Sequence, residues 1–288
     1  MTAPMRILDA HVHFWDPGQL HYPWLKDAPA LEREFLPGDL PALADHVLDG
    51  VIFVEANCRT AENLDELAFV EEMADDGARI LGAVVFVDMC DGERRTASLQ
   101  QIKRRARVVG VRHNIQRQPN GFGIQAEFVR GVQEVGSDGF TFDLCITADQ
   151  LPEAMELVRQ CPDTSFVLDH CGKPDIAGNV FEPWASDLRR LADHRNVACK
   201  LSGLLSEARP DQRTASGLLP FARHAMDCFG PDRLLYGSDW PVVTTAGGEP
   251  LWRSLAREFT SHWSAAARQA FFFDNAVRFY GIQHNART

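Results

Sequence analysis

The stretch GVIFVEA, residues 50–56, is an apolar run whose β-branched centre does not alternate with polar side chains. A short continuous run of this kind is typical of a parallel strand whose outer face is covered by helices. Seven comparable runs occur elsewhere in the chain. The eight predicted strands are Arg6–His13, Gly50–Ala56, Arg79–Val87, Val108–His113, Gly139–Cys145, Thr164–His170, Asn196–Ser202 and Arg233–Asp239.

Segments with helical spacing follow these strands. Leu64, Leu67 and Val70, for example, are spaced to line one face of a helix. Eight strand–helix units with right-handed crossovers close most simply into a (β/α)₈ TIM barrel, an α/β fold, and a doubly wound open sheet is the alternative. The predicted helices are Leu40–Leu48, residues 64–74, Glu93–Ala106, Gln125–Val135, Asp149–Gln160, Pro183–His194, Ser216–Phe229, Pro250–Thr260 and Ser264–Tyr280.

Composition narrows the class of protein. No proline- or serine-rich linker interrupts the 288 residues, so we expect one domain over residues 1–288. The net charge of −11 argues against nucleic acid or an anionic membrane as partner, although local Arg or Lys side chains can reverse the field inside a pocket. We expect no membrane span. Seven scattered cysteines predict reduced thiols and a cytoplasmic location, and the sequence is compatible with a homo-oligomer.

Ionisable residues occupy the ends of several predicted strands, where TIM barrels place their active sites. His11 and His13 lie two apart on the first strand, so their imidazoles face one side and can chelate a divalent metal. A structural histidine pair is the alternative. Asp239 ends the eighth strand and can serve as metal ligand and general base, or only as a helix cap. His170 ends the sixth strand.

Other residues near the strand ends are candidate substrate contacts. Arg112 and His113 end the fourth strand, and Lys200 lies on the seventh. A guanidinium or ammonium there could polarise a carbonyl or hold a carboxylate, whereas a solvated surface or a structural ion pair is the alternative. Trp15 and Trp24, in the long connection after the first strand, could form an apolar wall or simply pack in the loop.

Five motifs together resemble the amidohydrolase-2 family over nearly the whole chain. Within that family they are similar to the sugar-acid lactonases, the branch of L-fuconolactonase and L-rhamnonolactonase. The motifs are Leu8-Asp9-Ala10-His11-Val12-His13-Phe14-Trp15-Asp16-Pro17, Tyr22-Pro23-Trp24-Leu25, Leu168-Asp169-His170-Cys171-Gly172-Lys173-Pro174, Lys200-Leu201-Ser202-Gly203 and Gly237-Ser238-Asp239-Trp240-Pro241.

The resemblance implies that an activated water hydrolyses a sugar-acid lactone, an aldonolactone, to the open-chain acid in carbohydrate catabolism. It assigns His11 and His13 to a metal pocket, and Asp239 and His170 to catalysis, with Asp239 as the general base. A pyrone-dicarboxylate-type lactone hydrolase, a metal-dependent decarboxylase and a non-enzymatic binding protein are the alternatives.

The fifth strand departs from the common amidohydrolase pattern. It ends in Asp143-Leu144-Cys145, without the histidine or carboxylated lysine that would bridge two metals. We therefore expect at most one divalent ion, zinc or manganese, held by His11, His13 and Asp239, with Glu55 or His170 as a further ligand. Some relatives are thought to work without a tightly held metal, so metal-independent catalysis is the alternative.

Overall fold

A computed structural model describes residues 5–41 and 47–283. Its eight strands are parallel and follow one another in chain order around the sheet. The eighth strand returns to the first, because the Asp239 N–H donates to the His11 carbonyl at 2.9 Å. The barrel predicted from the sequence is confirmed. The strands are β1 (Arg6–Val12), β2 (Val47–Val54), β3 (Ile80–Phe86), β4 (Val108–Arg112), β5 (Thr141–Leu144), β6 (Ser165–Leu168), β7 (Val197–Leu201) and β8 (Leu234–Tyr236).

Helices connect the strands and cover the outside of the barrel. Side-chain caps begin three of them, with Asp91 accepting from the Arg94 N–H, Thr214 from the Gly217 N–H and Ser264 from the Ala267 N–H. A π-helical turn at Ala270–Asp274 joins the last two helices. The helices are α1 (Asn63–Asp75), α2 (Gly92–Ile102), α3 (Ala126–Ser137), α4 (Leu151–Gln160), α5 (Trp184–Ala192), α6 (Ala215–Phe229), α7 (Glu249–Phe259), α8 (Ala265–Gln269) and α9 (Asn275–Phe279).

The helix predicted over Leu40–Leu48 is wrong at both of its described ends. Leu40 lies outside any helix, β2 already begins at Val47, and residues 42–46 lie outside the described part of the chain. Pairing with β1 explains the earlier start of the strand, and Arg6 Nε donates to Asp49 Oδ2 at 2.7 Å across that pair. Tertiary pairing therefore overrides the helical spacing of the leucines.

The lower half of the barrel interior is apolar. One cluster draws side chains from six strands and is completed by Phe273, Ala276 and Tyr280 from the C-terminal segment. A larger apolar layer fills the space between strands and helices. Above the interior cluster, toward the carboxyl ends of the strands, the interior becomes polar, and this is where the predicted site residues lie.

A β-bulge in β1 explains how one strand supplies side chains to the apolar interior cluster and, further along, to the polar site above it. Leu8 and Ala10 belong to the apolar interior cluster, whereas Val12 packs in the outer layer. Strict alternation would then place His11 outside. The pairing with β2 shifts between Asp9 and Val12, so one extra residue is inserted there and His11 turns inward.

Among the described residues, no helix combines the length and apolar character that a membrane crossing would require. All seven cysteines, each at a described position, carry free thiols.

Candidate active site

Three histidines and one aspartate converge at the mouth of the barrel. His11 Nε2 lies 3.1 Å from His13 Nε2 and 3.7 Å from Asp239 Oδ1. Asp239 Oδ1 is also 3.4 Å from His13 Nε2 and 3.9 Å from His170 Nε2. All four side chains are buried. The structure thus brings together the four residues that the sequence placed on three separate strands.

Local hydrogen bonds and close packing orient these side chains. His13 Nδ1 donates to the Val54 carbonyl at 2.7 Å, which directs its Nε2 toward Asp239. His170 Nδ1 lies 2.8 Å from Ser202 Oγ. Gly203, at φ +71°, approaches so closely that a Cβ there would lie 2.7 Å from the Cβ of His170. The glycine therefore lets the loop after β7 press against the imidazole.

The donor set fits a divalent metal ion. Bonds of about 2.0–2.2 Å to a common ion in tetrahedral geometry would separate neighbouring ligand atoms by roughly 3.4 Å. The four nitrogen–nitrogen and nitrogen–oxygen distances above, 3.1 to 3.9 Å, bracket that value. His11, His170 and Asp239 also offer ligand atoms that all lie within 4.8 Å of one another. The ligand atoms of His11, His170 and Asp239 are therefore close enough to share one ion, and His13 Nε2 lies beside two of them.

Electrostatics keep these groups in the forms that bind a cation. Burial would raise the pKa of Asp239, but the imidazoles of His170, His13 and His11 outweigh it and hold this pKa well below its ordinary value. Burial lowers the pKa of His170 to about 4, against a partial opposing effect of Asp239. Burial likewise lowers the pKa of His11. At neutral pH the aspartate is ionised, and His11 and His170 are neutral.

A buried ammonium lies directly beneath His11. Lys200 Nζ is 2.6 Å from Asp143 Oδ2, 2.9 Å from Asp169 Oδ1 and 3.1 Å from His11 Nδ1. The Tyr280 hydroxyl donates to the same Asp143 oxygen at 2.8 Å. Asp169 Oδ1 is itself 3.2 Å from His11 Nδ1, so Asp169 can fix the orientation of this imidazole.

A second buried cation extends this network toward β2. Arg112 Nε donates to Glu55 Oε1 at 2.6 Å, and its Nη1 donates to Asp169 Oδ2 at 3.1 Å. The other oxygen of Glu55 accepts from the Asn57 N–H at 2.7 Å. Both oxygens of Glu55 are therefore engaged, and His170, not Glu55, is the residue that faces Asp239.

A cavity of ≈ 630 Å³ opens above the cluster, and some of the predicted substrate contacts line it while others do not. Trp15, Trp24 and Arg112 line it, and the indole N–H of Trp24 donates to the Ala56 carbonyl at 2.7 Å. Lys200 and His113 do not line it. Lys200 is wholly buried below, so the geometry gives no support to a direct substrate contact by this residue.

His113 lies to one side of the cavity. Its Nδ1 accepts from the Met89 N–H at 3.0 Å, and its ring packs against Phe86, Phe122 and Phe128. These contacts give it a role in packing the loops after β3 and β4, so the geometry does not support the predicted substrate contact for His113 either.

Sequence reasoning missed two groups of residues at this site. The buried partners Asp143 and Asp169 carry the ion network, and Arg117 and Lys173 line the cavity. The position of Asp143 and Asp169 at strand ends was a usable signal. Arg117 lies in a loop after β4 and gives none. Lys173 follows the predicted sixth strand by three residues within a motif, which could have indicated it.

Comparison with known proteins agrees with this geometry. The amidohydrolase family model matches residues 8–282. The chain is 34% identical to the L-fucono-1,5-lactonase of Burkholderia multivorans over 97% of both proteins. It is 31% identical to the 2-pyrone-4,6-dicarboxylate hydrolase of Comamonas testosteroni, over 96% of this chain and 90% of that protein. A crystal structure of a Burkholderia multivorans amidohydrolase with bound zinc matches with a TM-score of 0.85 and 32% identity, over 96% of this chain and 99% of that one. The chain therefore belongs to the amidohydrolase family.

Proposed function

We propose that this protein hydrolyses the lactone of a sugar acid to the open-chain acid. The observation that carries the proposal is an ionised carboxylate, Asp239, surrounded by three imidazoles at the floor of a cavity of ≈ 630 Å³. That cavity has the size of a small-molecule site. The similarity to a protein named L-fucono-1,5-lactonase over 97% of both chains supports the same substrate class.

In the proposed reaction, Asp239 accepts a proton from water while the water oxygen attacks the lactone carbonyl. The tetrahedral oxyanion then collapses and breaks the ring C–O bond. Asp239 returns the proton to the leaving alkoxide, so that lactone and water yield one hydroxy acid. Arg112, which lines the cavity, supplies positive charge that can stabilise the oxyanion.

His11, His13, His170 and Asp239 would hold the divalent ion, for which we propose zinc. When bound, it would polarise the carbonyl and lower the pKa of water. Nitrogen-rich donor sets suit zinc, and the similar Burkholderia multivorans structure contains it. We further propose a role in carbohydrate catabolism in the cytoplasm, a compartment that suits seven free thiols.

A pH-indicator screen tests this function. Purified protein is offered a panel of aldono-1,4- and aldono-1,5-lactones after treatment with chelator and again after addition of zinc or manganese. We expect acid release well above spontaneous hydrolysis for at least one lactone. If zinc- or manganese-loaded protein leaves every aldonolactone, and also the lactones of the corresponding aldaric acids, at the spontaneous rate, the proposed function is wrong. Binding of a lactone without turnover would indicate a binding protein instead.

A further inference from the structure

Positive charge dominates the lining of the cavity, although the chain as a whole carries a net charge of −11. Four basic side chains line it, and Asp239 is the one carboxylate among the described lining residues. The basic residues are Arg59, Arg112, Arg117 and Lys173. A cavity of this kind reverses the field of the surrounding protein and attracts anions.

Two of these four cations already have carboxylate partners. Arg112 is bonded to Glu55 and Asp169, and Arg59 Nη1 lies 3.5 Å from Glu62 Oε1. For Arg117 and Lys173, no ion pair within 4.0 Å connects either of them to a carboxylate of the described residues. Lys173 Nζ donates instead to the neutral side-chain carbonyl of Gln116. Burial raises the pKa of Glu207, and Lys173 is near enough to that carboxyl to lower it in part. Neither Arg117 nor Lys173 is held in a contact ion pair with a described residue, however, and both line the cavity that contains Asp239.

The backbone at these two residues is strained in the same way as at the catalytic residues. Arg117 has φ 64° and Lys173 has φ 50°, in the left-handed region that non-glycine residues rarely adopt. His170 and Asp239, at φ 54° and 61°, share it. The described chain has seven such residues, and five of them line the cavity. Strain of this kind concentrates at functional sites, where the surrounding fold imposes it.

We propose that Arg117 and Lys173 form an anion subsite for a free carboxylate on the substrate. This inference rests on the proposed function and narrows it: the preferred substrate is the lactone of a dicarboxylic acid, which keeps one carboxylate after the ring has closed. An aldonolactone has no such group, whereas the monolactone of an aldaric acid has one free carboxylate and 2-pyrone-4,6-dicarboxylate has two. The guanidinium and the ammonium each supply charge-assisted hydrogen bonds to it.

A matched pair of substrates tests the subsite. An aldono-1,4-lactone and the 1,4-lactone of the corresponding aldaric acid differ only by a hydroxymethyl group in place of the carboxylate. We expect the wild-type kcat/KM for the charged lactone to exceed that for the neutral one by roughly tenfold or more. Added salt should raise KM for the charged lactone selectively.

The decisive comparison uses the double variant Arg117→Gln/Lys173→Gln, which keeps polar side chains at both positions. We expect the ratio of the two kcat/KM values to fall roughly tenfold or more, chiefly through KM for the charged lactone. Arg104→Gln is the matched control, because Arg104 is exposed and lies outside the cavity lining. It should keep the wild-type ratio.

Several results would overturn the subsite and leave lactone hydrolysis standing. They are a wild-type preference for the neutral lactone, an unchanged ratio in the double variant, and an equal loss for both lactones, which would place the cations at the reacting carbonyl. Turnover of 2-pyrone-4,6-dicarboxylate but of no sugar lactone would support the subsite and would refute the sugar-acid substrate of the proposed function. No turnover of any of the three, or of the aldonolactone panel, would refute the proposed function itself.

Discussion

Replacement of Lys200 by methionine should destabilise the barrel strongly. The ammonium is fully buried between two carboxylates, at 2.6 Å from Asp143 and 2.9 Å from Asp169. A buried carboxylate that loses its partner costs about 3–5 kcal/mol. For a protein of this size that corresponds to a decrease in Tm of roughly 6–20 °C. Lys103→Met is the control, because Lys103 pairs with Asp138 at the half-exposed surface and such pairs contribute about 1 kcal/mol or less.

The loss of stability in Lys200→Met should also depend on pH. Burial raises the pKa of Asp143 to about 6, and Lys200 opposes that increase. Without Lys200 this pKa rises further, so Asp143 in the folded variant takes up a proton at pH values where the wild-type carboxyl stays ionised. A raised folded-state pKa gives stability that is lost as the pH increases through it. The difference in unfolding free energy between variant and wild type should therefore be smaller at pH 5 than at pH 8.

Urea unfolding at both pH values, followed by circular dichroism, gives the two free energies directly. A Lys200→Met variant within about 1 kcal/mol of wild type at pH 8 would show that the ammonium does not neutralise the buried carboxylates. An equal loss at pH 5 and pH 8 would show that Asp143 is not the group that responds.

Three further predictions follow from the same contacts. Arg112→Met should reduce lactone turnover on the order of 10²-fold, because a positive charge that stabilises the oxyanion is lost. It should also lower Tm, because Glu55 and Asp169 lose a buried partner. Unchanged steady-state kinetics would show that Arg112 does not act in the site. In metal-free protein, the contribution of His170 to the unfolding free energy should be lost as pH decreases from about 6.5 to 4, because the unfolded state protonates this residue first. Urea titrations over this range should therefore show the stability of wild type decreasing relative to that of His170→Gln, and a constant difference would contradict this. Elemental analysis should find no more than one divalent ion per chain, since the Lys200 ammonium, 3.1 Å from His11 Nδ1, already pairs with the nearby carboxylates Asp143 and Asp169, and two equivalents would contradict this.

The barrel could be predicted from the sequence because continuous apolar runs mark buried parallel strands wherever they occur. The cluster of His11, His13, His170 and Asp239 followed, since strand ends of a barrel meet at one face. The start of β2 could not be predicted, because the pairing of Val47 with Arg6 is a tertiary contact.

The residues that contact the cluster could not be predicted from the sequence either, because their partners are set by tertiary structure. Lys200 and Asp143 are 57 residues apart, and only the closed barrel makes them partners. Whether Lys200 faced the substrate or a buried carboxylate was therefore open. No glycine or asparagine stands at the bulge in β1, so the sequence did not predict it. The same holds for the left-handed backbone, which falls on an arginine and a lysine, Arg117 and Lys173.

Turnover by Asp239→Asn tests the central claim most directly. An amide can neither accept the proton of the attacking water nor return it to the leaving alkoxide, while it keeps the size of the side chain. With the best lactone, and with folding and metal content checked against wild type, kcat should fall roughly 10²–10⁴-fold. A folded Asp239→Asn protein that hydrolyses this lactone within a few-fold of the wild-type rate would contradict general-base catalysis by Asp239.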